Sequence, residues 1–301
     1  MSVQGKAVLV TGAASGIGKA TAVAAARRGA RLVLTDLQPL DGAVAEVERA
    51  GGTVLLARSL DITDLDAVRA LADDVHAAFG SMDVVMNVAG TSAWGSVRAL
   101  EHRHWRTMVE VDLMGPIHVI ESFVPAMMDA RRGGHLVNVS SAAGLLGLPW
   151  HAAYSAAKFG LRGVSEVLRF DLARYRIGVS LVCPGGVDTP LVGTVEIAGV
   201  DRDHPDLRRM TRHFQRHAKT PEQVAERILR GVERGQYLVY TSRDIQAAFL
   251  LQRLCPPLYE LVMRLMNDQM FRIGRRAAHP SAPRAAAVPG GAEARETARM
   301  P

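Results

Sequence analysis

The sequence predicts an α/β fold: a doubly wound parallel sheet of about seven strands, helices on both faces, and a C-terminal helical extension. Three observations predict it. Short β-rich apolar runs alternate with longer stretches of helical spacing over residues 1–190, and one further helix–strand pair follows at 221–240, the pattern of strands joined by crossover helices. A glycine-rich turn joins the first run to the first helical stretch, where such sheets bind ligands. The 301 residues, 48% hydrophobic and 22% charged, suffice for a large core and exclude a disordered or collagen-like chain.

The strands are expected at Ala7–Val10, Arg31–Thr35, Thr53–Ala57, Asp83–Val88, His135–Val139, Gly178–Cys183 and Tyr237–Tyr240. The intervening helices are expected at Ile17–Arg28, Asp64–Phe79, His104–Ala130, Ala152–Tyr175 and Pro221–Gly231. Thr220 is a natural N-cap for the last of these, with proline at the first helical position. Right-handed crossovers make the doubly wound order the leading topology. Residues 1–242 thus read as one domain, with a polar, His- and Arg-rich flap at 190–219. Residues 243–273 read as an amphipathic helical extension broken at Pro256-Pro257, and 274–301, rich in Ala, Pro, Arg and Gly, as a disordered tail.

The net charge of +6 is uneven. Cations and carboxylates nearly balance over residues 1–200, so the basic excess lies in the C-terminal third. Little aromatic interleaving and no nucleic-acid motif accompany it, so solvated charge is expected rather than nucleic-acid binding. Cys183 and Cys255 offer neither a disulfide framework nor metal-ligand spacing. No apolar run reaches spanning length, and the first strand leads directly into its turn without a signal peptide pattern. A cytoplasmic setting is expected.

Thr11 to Gly18 reads TGAASGIG. Glycines let the backbone turn sharply and approach a ligand, and the helix that follows offers unpaired N–H groups and a positive dipole end. A pyrophosphate suits that place, although the spacing is not GxGxxG. Asp36 ends the second strand. A carboxylate there accepts hydrogen bonds from a ribose 2′-OH and repels a 2′-phosphate. With Leu37 and Gln38 beside it and Ser15 in the turn, NAD is expected over NADP.

Tyr154 and Lys158 stand at i and i+4, on one helical face. An ammonium beside a phenol favours the phenolate, which lowers its pKa toward the range proton transfer needs. Ser140 and Ser141 end the preceding strand, which brings a hydroxyl to the same sheet edge.

With these motifs together the chain resembles the short-chain dehydrogenase/reductase family, a Rossmann-like fold of nicotinamide-dependent oxidoreductases. The resemblance runs from about Lys6 to Tyr240. It rests on Thr11–Gly18, Leu60-Asp61-Ile62, Asn87-Val88-Ala89-Gly90, Val139-Ser140-Ser141, Tyr154 with Lys158, and Pro184-Gly185. It implies that Ser141 holds the substrate oxygen, Tyr154 is the acid/base, and Lys158 binds the nicotinamide ribose and lowers the tyrosine pKa. It implies a glycine-turn site at Gly12, Ser15, Gly16, Ile17 and Gly18. Asp61 and Ile62 would flank the adenine, Asn87 and Gly90 the adenosine side, and Thr189 the carboxamide, with Pro184, Gly185 and Val187 alongside. Homodimers or homotetramers are common in the family, through helices matching His104–Ala130 and Ala152–Tyr175.

One position departs from the family. Asp112 stands where an asparagine usually kinks the fourth long helix and anchors a water linked to the lysine. The resemblance makes Asp112 a fourth catalytic candidate, and its charge would raise the Lys158 pKa and weaken phenolate stabilisation. Activity is expected to survive.

The apolar loop Leu145–Trp150 is expected to line the pocket, which suits a lipophilic alcohol or ketone such as a steroid, retinoid or acyl carbonyl. His151 is expected to face solvent. Residues 245–273 carry an apolar stripe with arginines alongside; packing against the body or a second subunit is expected before peripheral membrane contact. The sequence thus reads as an NAD-dependent oxidoreductase of CH–OH groups. The alternative is a catalytically weak dinucleotide-binding regulator of the same fold, and no metal is called for.

Overall fold

A computed structural model of the chain describes residues 1–201 and 203–277. Seven strands form one parallel sheet: β1 (Ala7–Thr11), β2 (Arg31–Asp36), β3 (Thr53–Ser59), β4 (Val84–Asn87), β6 (Gly134–Val139), β7 (Ile177–Cys183) and β9 (Leu238–Tyr240). Their order is β3-β2-β1-β4-β6-β7-β9. The order reverses direction between β1 and β4, which leaves a crevice at the carboxyl ends of these strands.

The central strands β1, β4 and β6 are buried on both sides, and side chains alternate between two cores with the period of two that a pleat imposes. Val8 and Val10 of β1 join Leu32, Leu34, Val84 and Met86 in one core; Leu9 joins Val33, Val85 and Leu136 in the other. The first core is closed by α1 (Gly16–Ala26), α2 (Asp41–Arg49) and α9 (Pro221–Glu233). The second is closed by α3 (Leu65–Phe79) and α5 (Gly115–Ala130), whose Phe123 is fully buried. Thr220 caps α9 as expected, in a reciprocal box: its Oγ accepts from the Gln223 amide, and the Gln223 side chain accepts from the Thr220 amide, both at 3.3 Å.

Three features differ from the sequence reading. The stretch His104–Ala130 is not one helix. It is α4 (His102–Val109), a widened π-turn at Glu110–Met114, and α5. Pro116 explains the break, because its ring clashes with the carbonyl four residues earlier, which is that of Asp112. The flap is ordered into α7 (Pro190–Thr194), β8 (Glu196–Ile197) and α8 (Pro205–His217), and β8 pairs in parallel with β5 (Ala93–Trp94). Glu196 clamps this ribbon to α4, accepting from Arg103 Nη1 at 2.9 Å and facing His104 Nε2 at 2.9 Å; those partners hold its carboxyl down at about 2.

Two helices complete the fold, α10 (Arg243–Leu254) and α11 (Pro256–Arg276), and α6 (Ala152–Asp171) carries the Tyr–Lys pair. The expected tail boundary shifts: Gly274 continues α11, and Ala277 is buried. The expectation of a disordered tail over 278–301 lies outside the described residues.

Candidate active site

The glycine turn between β1 and α1 is shaped to receive a ligand. Gly12 has φ +67°, and a Cβ there would lie 2.7 Å from the Ala89 Cα. Ser15 is the N-cap of α1 but makes no capping hydrogen bond, and no acidic residue occupies the first turn. The first amides of α1, near Gly16, Ile17 and Gly18, are therefore left for an anion. Asp36 faces this turn: its Oδ2 accepts from the Ala14 amide and its Oδ1 from the Gln38 amide, both at 2.9 Å. Each oxygen keeps a lone pair for a ribose hydroxyl.

Beside the turn opens a cavity of about 1280 Å³, large enough for a dinucleotide and a substrate together. Ser141, Tyr154 and Lys158 line it with Ile17, Gly90 and Thr189. Pro184, Gly185 and Val187 line the same space. The residues that the sequence placed at one sheet edge do converge there.

Ser141 N-caps the short turn Ala142–Gly144, its Oγ accepting from the Ala143 amide at 3.1 Å. That acceptance leaves its own O–H free to donate, and Ser141 favours the ionised form of the neighbouring Tyr154. Ser140 is structural: its Oγ donates to the Lys158 carbonyl at 3.0 Å. Lys158 Nζ donates to the Val139 carbonyl at 3.2 Å and to Asp112 Oδ1 at 3.1 Å. One N–H of the ammonium remains for the cavity.

Asp112 lies behind this group. It is fully buried, its Oδ1 also accepts from the Thr91 amide at 3.1 Å, and its Oδ2 has no partner. It does not line the cavity and touches the site only through Lys158. Gly90 makes room for the pair; a Cβ there would sit 2.6 Å from Asp112 Oδ1.

The charges decide the protonation. Burial alone would lower the Lys158 pKa, but the Asp112 and Tyr154 charges outweigh it and hold the ammonium up. Asp112 itself is raised, because burial penalises its charge more than Lys158 and the Thr91 amide favour it. Burial also raises the Tyr154 phenol; Lys158 and Ser141 pull it down, and Asp112 pushes it further up. The net direction corrects the sequence reading: in the protein alone the phenol sits above its ordinary value, because desolvation exceeds the pull of the ammonium.

The other expected residues are placed as follows. Asn87 is 2% exposed and its amide donates to Asn138 Oδ1 at 2.9 Å and to the Pro116 carbonyl at 3.4 Å. The bond to Asn138 ties β4 to β6. Ile62 is buried against Gly115, and its carbonyl meets His118 Nδ1 at 3.0 Å; Asp61 Oδ1 accepts from the Thr63 amide at 2.9 Å. Both lie at the end of β3, outside the large cavity. Of the apolar loop, Leu148 and Pro149 line the cavity, whereas Leu145 and Leu146 pack into a core with Phe249. His151 does not face solvent. It lines the cavity, stacks on Trp94 at 4.5 Å between ring centroids, and burial lowers its pKa.

Residues that sequence reasoning missed complete the far wall. Trp94, Leu191, Val195 and Ile197 come from the β5–β8 ribbon and α7, Leu207 from α8, and Met266 and Met270 from α11. Apart from Trp94, their sequence signal was only apolar character within a polar flap and an amphipathic helix.

Residues 6–198 match the short chain dehydrogenase family. The chain belongs to the short-chain dehydrogenases. It is 34% identical over 265 residues to the putative oxidoreductase SadH of Mycobacterium tuberculosis, covering 86% of this chain and 94% of that protein. To the trans-4-hydroxycyclohexanecarboxylate dehydrogenase of Sinomonas cyclohexanicum it is 39% identical over 193 residues, 62% of this chain and 74% of that enzyme. A crystal structure of a short-chain dehydrogenase from Burkholderia phymatum in complex with NAD superposes with a TM-score of 0.75 at 29% identity, covering 86% and 96% of the two chains. As a member of this family the chain is an oxidoreductase with a Rossmann-like fold.

Proposed function

We propose that this short-chain dehydrogenase moves a hydride between NAD and a secondary alcohol or ketone, or a primary alcohol or aldehyde, of lipophilic character. The observation that carries the reading is the convergence of Ser141, Tyr154 and Lys158 in one cavity with apolar far walls. The glycine turn, the open N-terminus of α1 and Asp36 fit a dinucleotide with a free 2′-hydroxyl. Relatives support the reading: one is a trans-4-hydroxycyclohexanecarboxylate dehydrogenase, and a solved neighbour holds NAD.

NAD, held by the glycine turn, Asp36 and Lys158, would supply the hydride acceptor. In oxidation the substrate hydroxyl sits between Ser141 Oγ and the Tyr154 phenol. Tyr154, as phenolate, takes the hydroxyl proton while the carbinol hydrogen leaves as hydride; in reduction the same phenol returns the proton. Ser141 steadies the developing oxyanion, and Lys158 holds positive charge beside the phenol.

The test is Tyr154→Phe. It should lower NADH formation from lipophilic alcohols by at least about a hundredfold, the lower end of what positioned proton transfer supplies, while leaving NAD binding by titration intact. Undiminished turnover would refute the assignment. A non-catalytic regulator would form no NADH in either version.

A further inference from the structure

The outer face of the C-terminal helices is apolar and is not covered by any other described residue. Leu254 is 79% exposed, Leu265 61% and Leu261 53%; Leu250 and Leu258 are nearly half exposed. No residue of α11 is buried. Two apolar stripes run along it. Val262, Met266 and Met270 turn toward the body, and the last two line the cavity. Leu258, Leu261 and Leu265, at i, i+3 and i+7, point roughly a third of a turn away, out of the molecule.

Cations rim the outward stripe. Arg253, Arg264, Arg272, Arg275 and Arg276 flank it against Glu260 and Asp268. Glu260 pairs with Arg264 at 3.3 Å, and Asp206 with Arg276 at 3.7 Å. Arg253, Arg272 and Arg275 make no ion pair among the described residues. No described helix is long and apolar enough to cross a membrane; a basic amphipathic helix can instead lie along an interface.

We propose that α10 and α11 dock this enzyme on an anionic lipid bilayer, with the leucine stripe immersed and the arginines among the headgroups. Charge chooses the occupant. A second copy pairing through this face would bring the cationic rim against itself, whereas acidic headgroups complement it. Because Met266 and Met270 of the same helix line the cavity, docking places its wall beside the acyl chains, and a lipophilic alcohol reaches Tyr154 without crossing bulk water. That last consequence rests on the proposed function; the docking itself does not.

The experiment is co-sedimentation of the full chain, without NAD or substrate, with vesicles of phosphatidylcholine alone or with phosphatidylglycerol added. The protein should sediment with the anionic vesicles and be released by salt. Leu261→Glu with Leu265→Glu should abolish binding, and Arg272→Gln should weaken it about five-fold. Both side chains of the double variant are exposed, so its melting temperature should match the parent's. Protein that stays in the supernatant with anionic vesicles overturns the proposal, and so does a double variant that still sediments. A variant that loses oligomer size in ultracentrifugation while keeping vesicle binding also overturns it, and assigns the stripe to a second copy.

Discussion

At the residue scale the site turns on a carboxylate buried behind a lysine. Asp112 helps hold the Lys158 ammonium in place, and the same charge opposes ionisation of Tyr154. The two effects have opposite signs for catalysis, and the second gives a prediction. Asp112→Asn removes the charge that raises the phenol, so in the oxidative direction the rise of kcat/KM with pH should begin at lower pH than in the natural enzyme. A merely structural role would leave the profile's midpoint unmoved, so the pH profile decides the matter. The Tyr–Lys spacing was legible because i and i+4 share a helix face whatever the fold. The sign of the net shift was not, because desolvation depends on every atom packed around the phenol.

At the element scale, β6 carries a second buried titratable group. His135 is 2% exposed, its Nε2 lies 2.8 Å from Ser180 Oγ, and burial lowers its pKa to about 4. An unfolded histidine titrates near ~6.5, so between these values the unfolded chain binds the extra proton. The stability tied to neutral His135 is therefore present above about 6.5 and is lost as pH falls toward 4. Its full size is on the order of 3 kcal/mol. Urea midpoints for the natural chain should drop more between pH 7 and pH 5 than those of His135→Gln; equal drops would remove His135 from the account. The π-turn belongs to this scale as well. Its cause, Pro116 four residues after Asp112, stands in the sequence, yet the periodicity of 104–130 reads as one helix because a single inserted residue barely disturbs an apolar stripe.

For the whole molecule, a cofactor that binds only the folded chain raises its stability by mass action. NAD at about a hundred times its Kd should add about 2.7 kcal/mol, a rise in Tm of roughly 4–5 °C for a chain of this size. NADP at the same concentration should give a smaller rise, since Asp36 repels a 2′-phosphate; a larger one would reverse the assigned preference. Differential scanning fluorimetry measures both.

What the chain determined alone was local: the alternation of strands and helices, the glycine turn, the capped start of α9 and the pairing of Tyr154 with Lys158. Each follows from residues within a few positions of one another, where backbone geometry and side-chain period leave few choices. Tertiary structure decided what distant segments do together. It set Asn87 into the sheet, turned His151 inward onto Trp94, paired β5 with β8, and brought Met266 and Met270 of α11 over the cavity. Those outcomes rest on packing between segments far apart in the chain, which periodicity cannot encode because any apolar face fits many partners.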